Sequence, residues 1–527
     1  MIAHFPFYLA MVVLIVLLIM LSHRIKIAYP VLLVLTGLLI SFIPGIPVLK
    51  IEPELIFLIF LPPILYEAAW ENSWKELWYW RRIIGSFAFV VVFLTAVSVA
   101  LTTHFFIPGF SLALGFLLGG IVSPPDAVSA SAILKFVKVP RRLSSILEGE
   151  SLLNDASSLI IFRFALIAVA TGQFVWYEAA FSFVWMVFGG MVAGLLIGFI
   201  FLKAHKWLPT DANMDIILSL VTPYVIYIGA ESVHASGILA VVAGSLYLSY
   251  HRHRFLSSSS RLRGENVWQS FVFLLNGLVF FLIGLDLPEI TFGLKQEGID
   301  FYVATAFGLL ITFVLISGRM LAAYGAVIVT KIASHFITVA DKNPGNRIPF
   351  VLGWAGMRGV VSLAAALSIP VTLADGTPFP HRNLILYITF VVILVTLVLQ
   401  GLTLPFIIRK IKLPVYKDHL PDAETEALLR KALSRASAEY LKQYPDASAQ
   451  YIHLQTWTRR CQGDPEPVEM RATPENIQAY KNMLEEQRQL LLEINKSKQR
   501  VDEAIVRKFL RQLDLEEEKL KLDHVLT

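Results

Sequence analysis

The stretch from Ile146 to Phe162 reads ILEGESLLNDASSLIIF. Glu150 and Asn154 stand four residues apart in it, as do Ser151 and Asp155, so two adjacent ridges of one helix carry polar groups. Asp155 falls well inside an apolar segment, where water is scarce. A carboxylate held there can bind a proton or a cation, and the two compete for the same oxygens. A hard monovalent cation such as Na+ wants oxygen ligands. Asp155, Ser151 and Asp126 can supply them from side chains, and chain breaks can supply them from backbone carbonyls.

Two apolar segments carry such breaks. Residues 112–134, LALGFLLGGIVSPPDAVSASAIL, place Gly119-Gly120 and then Pro124-Pro125 directly before Asp126. Neither proline can donate to a helix ladder, and each clashes with the preceding turn. Residues 349–370, PFVLGWAGMRGVVSLAAALSIP, set Gly353, Gly356 and Gly359 around Arg358. Arg319 and Arg358 are suited to balance the dipole charge of opposed half-helix ends. Arg163, Arg319 and Arg358 all lie inside apolar segments, where an isolated charge is costly and needs a partner. Their acidic counterparts are Glu67, Asp126, Glu148, Glu150, Asp155, Glu231 and Asp286.

The elements that hold these groups must sit in a membrane. Of the 527 residues, 56% are hydrophobic and 16% charged, against roughly 25% charged in a soluble domain. Residues 1–417 hold 20 acidic and 28 basic side chains, a net +8, and residues 418–527 hold 20 and 17, a net −3. These are the expected transmembrane domain (1–417) and cytoplasmic helical tail (418–527). The lone cysteine, Cys461, excludes an intramolecular disulfide and a cysteine-rich metal site. The first apolar run lacks a basic leader and reads as a spanning helix rather than a signal peptide.

With about 20 apolar residues needed per crossing, thirteen spans are expected, near 5–22, 28–44, 55–73, 83–107, 111–133, 143–170, 179–202, 213–232, 234–250, 267–288, 302–330, 348–372 and 383–408. Alternate loops then hold 22 basic residues on one side and three (Lys50, Lys295 and Arg382) on the other. By the positive-inside rule the N-terminus is outside and the tail cytoplasmic, in an inner-membrane, multi-pass protein. Spans 4–6 and 11–13 fit an inverted repeat, each with an interrupted helix in its middle, the breaks crossing at midplane. The expected fold class is therefore an all-α polytopic membrane protein of about thirteen helices with a helical tail. In the tail, 418–443 and 474–523 have helical patterning around a Pro- and Gln-containing stretch with DPEPVEM.

SPPDAV, EGESLLND, ISGRMLAAYG and GWAGMRGVVSLAAALSIP together resemble the monovalent cation:proton antiporter family that includes bacterial and eukaryotic sodium/proton exchangers, over residues 10–410. The resemblance implies a thirteen-helix homodimer whose six-helix core moves against a dimerisation domain, in the lipid bilayer. Its substrates would be Na+, Li+ or K+ and H+, serving pH and cation homeostasis. Carried over by motif, Asp155 is the ion-carrying carboxylate and Asn154 its neighbour. Asp126 and the Pro125 carbonyl lie at the crossing, and Ser151 is a ligand, so the cation sits at Asp155, Asp126 and Ser151. Glu150 pairs with Arg319 and Asn154 as a structural brace, and Arg358 compensates charge in the core. Glu67, in LPPILYEAAW, matches an acidic residue near the ion path of some members. Where many members read Thr-Asp this chain reads Pro125-Asp126, which loses a hydroxyl and keeps a carbonyl. Asn at 154 matches the electroneutral branch, with one charge alternating between one proton and one cation.

Blander roles stand beside these. Asp126 also suits an N-cap after Pro-Pro, and Glu231 and Asp286 suit outer span ends. Arg163 is left unassigned. A K+-preferring antiporter is the nearest alternative, and a cation channel a more remote one, since no filter sequence is present. No HExxH or GxSxG supports an enzyme, and no Walker A or GxGxxG supports nucleotide coupling, so no cofactor, nucleotide or nucleic-acid partner is expected.

Overall fold

The computed structural model describes residues 5–43, 53–137, 139–172, 176–336, 345–373, 376–413, 419–443, 474–498 and 500–525. Lys50, Lys138, Lys342 and Lys417 of the loop count, and the stretch holding Cys461 and DPEPVEM, lie outside these residues. Among them the chain is all-α, with an isolated bridge between Thr372 and Pro378. Two compact units divide it.

The larger unit comprises residues 1–207, 218–251 and 268–414. Its helices are α1 (Phe5–Ile25), α2 (Tyr29–Ser41), α3 (Pro53–Glu71), α4 (Trp74–Gly85), α5 (Val92–Phe106), α6 (Leu112–Val122), α7 (Ala127–Leu134), α8 (Arg141–Thr171), α9 (Trp176–Trp207), α10 (Ala212–Glu231), α11 (Gly237–Phe255), α12 (Ser258–Leu285), α13 (Leu287–Gln296), α14 (Phe301–Ala333), α15 (Arg347–Trp354), α16 (Val360–Leu367) and α17 (Arg382–Ile411). Each expected span meets a helix or a helix pair, and among the described residues eight helical stretches are long and apolar enough to cross a membrane.

The fourth span differs from expectation. It begins at Trp74 and runs to Phe106 through a π-helical segment, Ser86–Val91. Its start is fixed by Ser73, whose side chain accepts the Glu76 N–H at 3.2 Å. The polar Trp74–Gly85 stretch hides this start from an apolar ruler.

The two interrupted spans are separate helix pairs. Ser111 caps α6, which ends at Ser123 before the double proline, and α7 restarts at Ala127. On the other side, residues 355–359 separate α15 from α16. α6 packs on α5 and α8 and α7 on α8 and α17, while α15 packs on α14 and α17 and α16 on α17. Close backbone approach makes the first of these contacts possible, since a Cβ on Gly119 would collide with the Ala96 backbone.

The smaller unit comprises residues 208–217, 252–267 and 415–527. Its tail helices are α18 (Asp422–Gln443), α19 (Pro474–Ser497) and α20 (Glu503–Val525). The single helix expected over 474–523 is thus two, because Asp502 starts a new one by accepting the Ala504 N–H at 2.9 Å. Leu429, Leu433, Met483, Leu484, Leu491, Val506, Phe509 and Leu510 close an apolar core among the three. The tail does not form this unit alone. Arg261 forks onto Asp514, Arg511 meets Glu265 at 3.0 Å, and Ser258 donates to Glu518 at 2.9 Å.

Candidate functional site

The two chain breaks meet. The Asp126 N–H donates to the Met357 carbonyl at 2.7 Å, joining the α6–α7 break to the α15–α16 break. Each break leaves carbonyls and N–H groups without helix partners, and neighbouring groups absorb them. Arg358 takes the carbonyl end of α6: its Nε donates to Val122 O at 2.8 Å and Nη2 to Ser123 O at 3.3 Å. Its third guanidinium nitrogen turns back on the Gly356 carbonyl, and its own N–H donates to Thr396 Oγ1 at 3.2 Å. A cation on the negative end of a half-helix is the favourable placement.

Asp126 occupies the opposite end. Its carboxylate accepts the N–H groups of Val128 (2.9 Å) and Ser129 (3.3 Å) and the Ser129 hydroxyl (2.6 Å), which makes it the N-cap of α7. Gly359 is required by this fit, because an added Cβ would overlap the Asp126 carboxylate. The charged break residues thus lie where the dipoles favour them, a negative cap on α7 and a positive cap on α6.

α8 passes beside the crossing with its polar ridge inward. Glu150, Asn154 and Asp155 are all buried on it. Glu150 takes both forks of Arg319, at 2.6 and 2.8 Å, with side-chain exposures of 1% and 3% for the two residues. Arg319 Nε also donates to Leu352 O at 3.2 Å, near the end of α15. The expected bond from Asn154 to Glu150 is absent among the described residues. The Asn154 amide donates instead to the Pro125 carbonyl at 2.9 Å. The reason is competition: the guanidinium fork uses both Glu150 oxygens, and the double proline has freed an acceptor on the other side.

Asp155 differs from the other two carboxylates. It is 6% exposed and accepts no hydrogen bond from the described residues; its nearest charged influence is Asp126. Ser151, one turn earlier, is half-buried and already has an interaction of its own. Glu67 is half-buried on α3, and Tyr29 lies within electrostatic reach of both Glu67 and Asp126.

Sequence spacing did not single out Ser157, Ser158 or Thr396. Ser157 donates to the Ala88 carbonyl in the π-helical segment, and Ser158 to the Gly120 carbonyl of α6. Both pin the ridge that carries Asp155. Their only local signal was the Ser-Ser pair following Asn-Asp.

A buried carboxylate with no bonded partner among the described residues, beside two chain breaks that meet in a polytopic all-α bundle, is the architecture of an ion-coupled membrane transporter. The transmembrane sodium/hydrogen exchanger family model matches residues 10–410, and the chain belongs to that family, whose members are transporters and not enzymes. A sodium, potassium, lithium and rubidium/H(+) antiporter of Bacillus pumilus is 37% identical over 72% of this chain, and the chain spans 58% of that protein's length. The Na(+)/H(+) antiporter ApNhaP of Aphanothece halophytica is 32% identical over 88% of this chain and 84% of its own. The sodium proton antiporter MjNhaP1 of Methanocaldococcus jannaschii shares the fold, with a TM-score of 0.60 at 18% identity over 78% of this chain and 99% of its own.

Proposed function

We propose that the chain is a secondary antiporter that exchanges Na+, with Li+ and K+ as further substrates, for H+ across the membrane, and that Asp155 carries both. One observation carries this reading. Of the three carboxylates at the crossing, Glu150 is ion-paired and Asp126 caps a helix, whereas Asp155 has no bonded partner among the described residues. A dry carboxylate without a partner is costly unless a proton or a cation neutralises it. Either occupant excludes the other, and that exclusion couples the two fluxes.

Oxygens from Ser151, from the Pro125 carbonyl and from Asp126 complete the proposed cation shell. The names of the Bacillus and Aphanothece relatives support cation/proton exchange. Asn154 is an amide and Glu150 is held by Arg319, so one group titrates and the exchange is one-for-one and electroneutral. The basic-residue asymmetry of the loops supports a cytoplasmic tail and an outside N-terminus. A homodimer is the assembly that the family resemblance supports.

The test is reconstitution in vesicles with a pH-sensitive dye. Adding Na+ should dissipate an imposed proton gradient, and a cation series would rank Na+ against K+ and Li+. The Asp155→Asn protein should fold, reach the membrane and fail to exchange. Substantial cation-driven proton flux in that variant would remove Asp155 from its role.

A further inference from the structure

Arg163 and Glu231 form a charged pair in the larger unit that the crossing does not use. Arg163 lies eight residues after Asp155 on α8, about 12 Å further along the same helix. Its Nη2 meets Glu231 Oε2 at 2.7 Å. Glu231 ends α10, and its other oxygen accepts the Gly237 N–H at 3.0 Å, at the first residue of α11.

Each end of this bond belongs to a tightly knit set of helices. α8 packs on α4, α5, α6 and α7, and Ser157 and Ser158 tie it to the π-helical segment and to α6. α10 and α11 are tied to α9. The Ser236 N–H donates to Met186 O at 3.1 Å, Trp185 Nε1 donates to Val233 O at 3.2 Å, and a Cβ on Gly194 would collide with the Ala240 backbone. Between the two sets, α8 meets α9, and its Arg163 meets Glu231 of α10. Towards α3 and α11 it packs through an apolar patch of Leu152 against Ala69 and Val242.

The pair also differs from the brace at the crossing. Side-chain exposure is 42% for Arg163 and 28% for Glu231, against 3% and 1% for Arg319 and Glu150. Separating the brace strands a fully buried charge, whereas the Arg163–Glu231 pair is not enclosed by other side chains.

We propose that the Arg163–Glu231 bond is a registry latch between the helix carrying Asp155 and the α10–α11 pair, broken and remade in each transport cycle. The proposal rests on the antiport reading, and it makes Arg163 and Glu231 positioning residues rather than ion ligands. Holding them together therefore stops exchange without touching the carboxylate.

Cysteines at both positions, Arg163→Cys and Glu231→Cys, in a Cys461→Ser chain leave no other thiol. A bis-methanethiosulfonate with a two-carbon spacer links them, and dithiothreitol reverses the link. The Cys461→Ser parent reports on antiport itself: a parent that dissipates no gradient contradicts that reading, whatever the pair does. In the double variant, flux should fall in proportion to the linked fraction, counted by peptide mass spectrometry, and return on reduction. Link yield is a second readout that needs no transport. It should change with Na+ and with pH, since these shift the population of the latched state, whereas a static contact gives one yield throughout. Full-rate exchange by linked protein, or a yield indifferent to both Na+ and pH, overturns the latch.

Discussion

The Glu150–Arg319 pair offers the sharpest energetic test of the site. Its two bonds, 2.6 and 2.8 Å, lie at 1% and 3% side-chain exposure, so neither charge has water to fall back on. Glu150→Met leaves a buried guanidinium that cannot discard its proton, at a cost of about 3–5 kcal/mol. Arg319→Met strands the carboxylate at a similar cost and also gives up the 3.2 Å bond to Leu352 O, a charged-group bond worth about 1.5–3 kcal/mol. Added together the singles would remove roughly 8–13 kcal/mol, most of the stability of an ordinary domain. The double Met variant has no stranded charge. It should lose little beyond the Leu352 bond, about 1.5–3 kcal/mol. Reversible unfolding in mixed micelles, followed by tryptophan fluorescence, measures all three against the parent. A double variant as unstable as the sum of its singles would mean that the residues are not coupled. The double should also retain exchange in proportion to folded protein, because the pair braces the site and carries nothing.

Three further outcomes follow from the geometry. Gly359→Ala drives a methyl into the Asp126 carboxylate and should lower the melting temperature and abolish exchange, whereas Gly325→Ala, with open space around it, should do neither; equal behaviour of the two would remove the crowding argument. Exchange should be indifferent to a clamped potential of ~100 mV, which contributes about 2.3 kcal/mol per net charge moved, and a rate or end-point that shifts steeply would require a second titrating group. In the smaller unit, burial holds the His253 imidazolium unfavourable, aided by Arg252, Arg261, Arg488 and Arg507, and pulls its pKa well below 6.5. Unfolding then takes up a proton once pH drops below the free-histidine value, so this unit should lose stability as pH falls through ~6.5, and His253→Gln should flatten that slope in hydrogen exchange of α20; an unchanged slope would exclude His253 as its source.

The parts of the site legible in the sequence were those encoded locally. Pro124-Pro125 and the triplet of glycines around Arg358 announced both breaks, because each residue fails in a helix for reasons of its own backbone. The helical offset of Ser151 from Asp155 gave the buried ridge. Charge alone showed that Arg319 and Glu150 each need a partner, and the family resemblance was what paired them. The family resemblance implies a bond from Asn154 to Glu150, yet the partner of Asn154 is a carbonyl 29 residues back that only the break exposes. The make-up of the smaller unit was hidden for the same reason. Arg261 and Asp514 are 253 residues apart, and nothing in the spacing of either segment points to the other.

The bond from Asp126 to Met357 has a consequence for how the protein is made. A ribosome adding ~5–20 residues per second takes on the order of ten to fifty seconds to get from one partner to the other. Throughout that interval the free N–H of Asp126 and the bare carbonyls of Val122 and Ser123 await Arg358 and its neighbours, in a medium with no water to substitute. The nascent first half is therefore an incomplete insertion intermediate, which the insertion machinery or a chaperone has to shelter until residues 347–367 arrive. Chains stopped before that point should be recognised as unfinished and degraded, however apolar their helices are.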